Sequence, residues 1–151
     1  MRLFDFMNTT VWTVTPDDDA ETAWELMTQN DIHHLVVLDH QRVVGVITDT
    51  DLGGPNGEDL RAGCLVADLM TKNPLTVPAA TTAREAANLL RGRAIGCLPV
   101  VEEDALVGII TLTDMLALIG RGVEKALPET EKRPVSREHP GKKPVGSRIS
   151  G

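Results

Sequence analysis

One short element with the makings of a binding site occurs twice in this chain: Gly45-Val46-Ile47-Thr48-Asp49-Thr50-Asp51 and Gly108-Ile109-Ile110-Thr111-Leu112-Thr113-Asp114. In each copy an apolar, strand-like run gives way to a segment with helical spacing. Backbone N–H groups at such a junction point outward unpaired, and their partial positive charge favours an anion. Thr48 and Thr111 can donate a hydroxyl hydrogen bond to a phosphate oxygen, and Asp51 and Asp114 can accept from two vicinal hydroxyls, as ribose presents them. The same Thr-x-x-Asp spacing also fits a capping box, in which both side chains satisfy their own backbone. The chemistry of the residues leaves both readings open.

The elements that must carry these junctions are duplicated with them. One constant shift lays Met7 on Met70, Thr13-Val14 on Thr76-Val77, Ala20 and Ala23 on Ala83 and Ala86, Leu35 and Val37 on Leu98 and Val100, and Asp51 on Asp114. Each copy opens with a short β-branched segment (Thr10 to Val14; Leu75 to Val77) and continues into helical spacing. Capping boxes are expected at Asp18 with Glu21 and at Thr82 with Glu85, and the apolar sets Ala20, Ala23, Trp24, Met27 and Ala83, Ala86, Ala87, Leu90 give each helix a buried face. Two runs around Asp39 to Arg42, and around Glu102 to Ala105, read as β-hairpins. A closing helix is expected near Asp51 and near Asp114, with Gly53-Gly54-Pro55-Asn56-Gly57 cutting the first one short. The fold class is α+β, two β-α-β-β-α repeats: 4–52, a linker over 53–66, and 67–121. Residues 122–151 form a Pro-rich, basic tail expected to be flexible.

Composition narrows the function. The chain of 151 residues is 42% hydrophobic, with two Phe, two Trp and no Tyr, and carries a formal charge of -7. That is a globular composition without the aromatic rows or basic excess of a nucleic-acid binder. No apolar stretch approaches the roughly 20 residues of a membrane helix, and the N-terminus lacks a signal-peptide pattern, so a cytoplasmic protein is expected. Cys64 and Cys97 lack C-x-x-C spacing and read as reduced thiols. No Ser-His-Asp or H-E-x-x-H arrangement is present, so no enzyme is expected, and His33, His34 and His40 lack co-ligands at metal-binding spacing.

The whole arrangement, twice over, resembles the CBS (cystathionine-β-synthase) domain family: Met70, Thr76-Val77, Leu98 to Val101 and Gly108 to Asp114, with looser counterparts Met7, Thr13-Val14, Leu35 to Leu38 and Gly45 to Asp51. It covers roughly Phe4 to Leu116. The resemblance implies two repeats packed sheet to sheet about a pseudo-twofold axis. It implies two clefts, each drawing on both repeats, that hold AMP, ADP, ATP or S-adenosylmethionine, with no cofactor required. One cleft would use Ile109, Thr111 and Asp114 with Trp12, Ile32 and His33; the other would use Thr48 and Asp51 with Leu75, Ile95 and Gly96. Apolar walls at Ile32, Ile95 and Ile109 suit adenine. Asp49 is expected to set a second carboxylate beside Asp51 and oppose a polyphosphate there, which favours the Asp114 cleft. No arginine stands directly before either hairpin, so monophosphate or nucleoside ligands are the expected class. The family also implies a homodimer, with Met115, Leu116, Leu118 and Ile119 suited to a twofold contact, and a regulatory role exerted on a separate effector protein. The competing expectation is a ligand-free dimerisation scaffold.

Overall fold

The computed structural model describes residues 1–93 and 95–124, with the side chains of 122–124 excepted, so most of the expected tail lies outside the described residues. In chain order the elements are β1 (Thr13–Val14), α1 (Ala20–Asn30), β2 (His34–Asp39), β3 (Arg42–Thr48), α2 (Glu58–Arg61), α3 (Val66–Leu69), β4 (Thr71–Lys72), α4 (Ala83–Arg93), β5 (Cys97–Glu102), β6 (Ala105–Thr111) and α5 (Leu112–Glu124). The fold is α+β, as the duplicated pattern requires.

Both hairpins turn on two residues with positive φ, His40 and Gln41 in the first and Glu103 and Asp104 in the second. That pair of signs is the type I′ turn, whose twist matches the strands it joins. The register slips between Val37 and Leu38, and again between Val100 and Val101, so the bulge is duplicated with the turn.

Strand alternation then sorts the side chains into layers. Along β2, Leu35 and Val37 enter a core with Ala20, Ala23, Leu26 and Met27 of α1. Val36 and Leu38 face the other way, into a layer shared with Cys97, Leu106 and Ile109 of the second repeat. A third cluster, with Leu98, Val100 and Ile110, lies under Ala86 and Leu90 of α4. The two sheets therefore meet face to face, each covered outside by its own helix.

The entry segments are exchanged. Thr71 of β4 pairs with Val46 of β3, and Asn8 bridges to Ile109 of β6, so each repeat's first residues lie on the other repeat's sheet edge. Leu3 is buried in the second core and Val66 in the first. The same exchange fixes two glycines: a Cβ on Gly45 would lie 2.6 Å from Met70 Sδ, and one on Gly108 2.6 Å from Met7 Sδ. These matched pairings are the signature of a pseudo-twofold.

Five details depart from the sequence expectations. The opening strand expected over Leu75 to Val77 does not form; Val77 makes only an isolated bridge to Val100, and the strand of that region is β4 at Thr71–Lys72. The Thr82–Glu85 capping box forms, with N–H bonds of 2.9 and 3.1 Å in opposite directions. Its first-repeat counterpart does not, because α1 begins one residue later, with Asp19 in the N-cap position and no side-chain cap bond, and Asp18 instead accepts the Thr15 N–H at 2.8 Å. No closing helix follows Asp51; a turn, a 3₁₀ segment at Gly54–Asn56 and α2 stand where the second repeat has α5. This stretch is built rather than slack. Arg61 is 3% exposed, donates to Glu21 and to the carbonyls of Leu52 and Gly54, each at 2.8 Å, and stacks 4.4 Å over the Trp24 ring. Finally, Met115 is buried in the second core and Leu118 packs against it, while Leu112, Leu116 and Ile119 form the exposed stripe of α5.

Candidate functional site

The packing of sheet on sheet leaves two clefts, one at each end of the shared layer. The first, about 420 Å³, is lined by Thr48 and Asp51 from the end of β3 and by Leu75, Ile95 and Gly96 from the second repeat. The second, about 210 Å³, is lined by Ile109, Thr111 and Asp114 with Trp12, Ile32 and His33. Both sets named from the sequence are thus brought together, each walled by both repeats. The reason is the crossing of the chain: β1 and β2 place Trp12, Ile32 and His33 opposite the end of β6, and the twofold repeats this for the end of β3.

At each junction Thr and Asp are locked into a reciprocal pair. Thr48 N–H donates to Asp51 Oδ2 at 3.0 Å and Asp51 N–H to Thr48 Oγ1 at 3.1 Å. Thr111 and Asp114 repeat both bonds at 3.0 and 3.1 Å. The capping box is real, yet it does not consume the groups. A hydroxyl that accepts one N–H still has its own proton to give, and a carboxylate bonded through one oxygen retains the other. The cap therefore fixes the rotamers of two side chains that also line a cleft, so the two readings left open by the sequence are compatible. The partial positive charge of a helix end is present only at Asp114, where α5 supplies full helical length; at Asp51 a single turn follows.

His34 is the hinge between the clefts, since it lines both. Burial depresses its pKa, outweighing the carboxylates of Asp49, Asp114 and Asp51 that pull it up, while His33 adds to the depression. Its ring fits because position 96 is glycine: a Cβ there would lie 2.9 Å from His34 Nε2. The equivalent residue of the second repeat is Cys97, whose thiol burial pushes up to about 12, so it is a neutral wall. The indole N–H of Trp12 is the one buried side-chain polar atom without a partner among the described residues.

One expectation about charge is overturned and another was incomplete. Asp49 is not on the wall of the Asp51 cleft; its Oδ2 lies 2.9 Å from His33 Nδ1 and its Oδ1 accepts the Thr50 N–H at 2.8 Å. An arginine does reach a cleft, because Arg93, in the last turn of α4, lines the Asp51 side. Sequence reasoning missed it by looking only at the residues next to the strand. It also missed Asp31 on the Asp114 cleft, the left-handed residue that ends α1. Asn8 and Thr71, the exchanged entry residues, complete the two walls. Only the pairing across the repeats marks them. Among the described residues no three His, Cys, Asp or Glu side chains converge as a metal site, and no helix is long and apolar enough to cross a membrane.

The model of the family described as CBS domain matches this chain twice, over residues 3–52 and 66–121. A CBS domain-containing protein of Dictyostelium discoideum is 32% identical over 138 residues, covering 82% of this chain and 94% of that protein. Inosine-5′-monophosphate dehydrogenase of Korarchaeum cryptofilum is 36% identical over 115 residues, which are 76% of this chain; the chain spans only 23% of that enzyme's length. Among solved structures, CBSX2 of Arabidopsis thaliana in complex with AMP superposes with a TM-score of 0.70 at 30% identity, covering 81% of this chain and 98% of that one.

Proposed function

This chain belongs to the CBS domain family, and on that premise we propose that it is a regulatory module whose two inter-repeat clefts bind an adenosine-containing ligand. The observation that carries this reading is the composition of the clefts. Each takes its apolar wall from both repeats and ends at a Thr–Asp pair held rigid by its own cap. Adenine is suited by Ile95 in one cleft and by Ile32 and Ile109 in the other, and ribose and phosphate by the carboxylate and hydroxyl beyond. AMP, ADP, ATP and S-adenosylmethionine are the candidates, and the AMP complex of the Arabidopsis relative supports the first. No catalytic step is proposed.

A ligand touching both repeats stabilises one arrangement of them, by no more than its differential affinity for that arrangement. The output surface we propose is the stripe Leu112, Leu116 and Ile119 of α5, whose spacing puts all three on one helix face, 51%, 61% and 61% exposed. A second copy meeting it about a twofold forms a homodimer, and a separate, cytoplasmic effector protein reads the result.

Calorimetric titration with AMP, ATP and S-adenosylmethionine tests the proposal. Binding below the millimolar range is expected for at least one. Asp51→Ala and Asp114→Ala should each weaken ligand held in their own cleft by about 1.5 to 3 kcal/mol, the range of a charged hydrogen bond. Each should also lower stability by about 1 kcal/mol through the lost cap. Stability loss without affinity loss, or no binding at all, would leave the dimerisation scaffold as the function.

A further inference from the structure

We infer that the two clefts sort adenosine compounds by charge: the Asp51 cleft takes a phosphorylated one and the Asp114 cleft an uncharged or cationic one. This inference rests on the adenosine-binding reading above and goes beyond it by assigning a ligand class to each cleft.

The ionisable groups on the two walls differ although the scaffold repeats. Asp51 shares its cleft with Arg93, His34 and Cys97. Arg93 offsets the carboxylate, and its planar fork is matched to phosphate oxygens. Thr48, Thr71 and Asn73 on the same wall add polar groups without adding negative charge. Asp114 shares its cleft with Asp31, His33 and His34, and no Lys or Arg lines it among the described residues. His33 does not restore the balance, because Asp49 already faces its Nδ1 at 2.9 Å.

One feature opposes this assignment. The N-terminus of α5 carries about half a positive charge, which favours an anion at the Asp114 cleft. Asp114 lies in that first turn and accepts the Thr111 N–H. A full negative charge at the helix end outweighs the half charge of the dipole, and Asp31 adds a second. Size agrees with charge: about 420 Å³ lies within the roughly 300 to 1,000 Å³ usual for ligand pockets and about 210 Å³ falls below it. The smaller cleft suits adenosine, which lacks the phosphate of AMP; for the bulkier S-adenosylmethionine the assignment rests on charge alone.

Tryptophan emission distinguishes the clefts, since Trp12 lines the Asp114 cleft and Trp24, the other tryptophan, lines neither. The full chain and its R93Q and D31N variants are titrated with AMP, adenosine and S-adenosylmethionine, following heat and emission together. Both substituted side chains are exposed, and asparagine tolerates the left-handed backbone of Asp31, so both variants should fold. Expected in the unaltered chain is AMP binding with no change in Trp12 emission, while adenosine and S-adenosylmethionine shift it. R93Q should weaken AMP about tenfold or more and leave adenosine within about twofold. D31N should let AMP shift the emission as well. AMP shifting Trp12 in the unaltered chain, or R93Q weakening AMP and adenosine equally or not at all, would overturn the sorting while leaving adenosine binding intact. Failure of all three compounds to bind would overturn both.

Discussion

The two halves of this protein are most alike in the layer where they face each other and least alike in the segments that close them. Hairpin turn, bulge, Thr–Asp pair and exchanged entry segment all repeat. The closing segments do not: the second half ends in α5, the first in a turn and the buried Arg61. Residues along the shared layer must satisfy the partner repeat as well as their own core, so a change on one side needs a matching change on the other. The outer closure answers only to its own half and has been free to find a different solution.

The largest test of that contrast removes the substitute closure. Arg61→Ala deletes the bonds to Glu21, Leu52 and Gly54 and uncovers Trp24. Glu21 keeps access to water, its side chain being 45% exposed, so the loss is mainly of the two carbonyl bonds and the packing. A stability loss of about 2 to 4 kcal/mol is expected in urea unfolding. A loss below about 0.5 kcal/mol would mean that the first half needs no such closure and that the asymmetry carries no energy.

A smaller effect probes the likeness of the halves instead. Gly45→Ala meets Met70 Sδ at 2.6 Å and the Thr71 carbonyl oxygen at 2.9 Å; Gly108→Ala meets Met7 Sδ at 2.6 Å and the Asn8 carbonyl oxygen at 3.2 Å. A methionine tip can swing aside, whereas backbone cannot. Both changes should cost about 1 to 3 kcal/mol, with Gly45→Ala the more damaging because of the closer carbonyl. The reverse order in thermal or urea denaturation would show that the methionine contact, and not the nearer carbonyl, sets the cost.

Which features the sequence revealed follows from how far apart their determinants lie. The repeat, the hairpins and the Thr-x-x-Asp junctions are local patterns, whereas the grouping of Trp12, Ile32 and His33 with Asp114, and of Leu75, Ile95 and Gly96 with Asp51, came from the resemblance to the CBS family, since nothing local pairs a residue of one repeat with the junction of the other. The direction of Asp49 was not legible, because it depends on His33 arriving beside it from the segment before β2. Arg93 escaped notice because a helix turn, not sequence adjacency, brings it to the cleft. Arg61 lay in a Gly-rich stretch whose composition reads as linker, and only the gap left by a missing helix explains its burial. Met115 looked like surface by spacing alone; the second core claims it, and the exposed face of α5 shifts to Leu112, Leu116 and Ile119.

The smallest expected effect concerns an equivalent pair at the shared layer, one member of which is a histidine and the other a cysteine. His34 and Cys97 open β2 and β5 at equivalent places, but the thiol stays neutral to about 12 while the imidazole titrates. Burial holds the folded pKa of His34 below the ordinary value of 6.5, so between those two pKa values the unfolded chain binds more protons. Stability from this group is therefore complete above about pH 6.5 and declines as pH falls toward the folded value, where the dependence levels off. Asp49, Asp51 and Asp114 resist the shift and His33 deepens it, which keeps the slope shallow. Replacing the histidine by the residue its twin carries, H34C, should flatten the urea midpoint against pH over that window. An unchanged slope would mean that His34 is hydrated and that the layer between the clefts is open to water at this end.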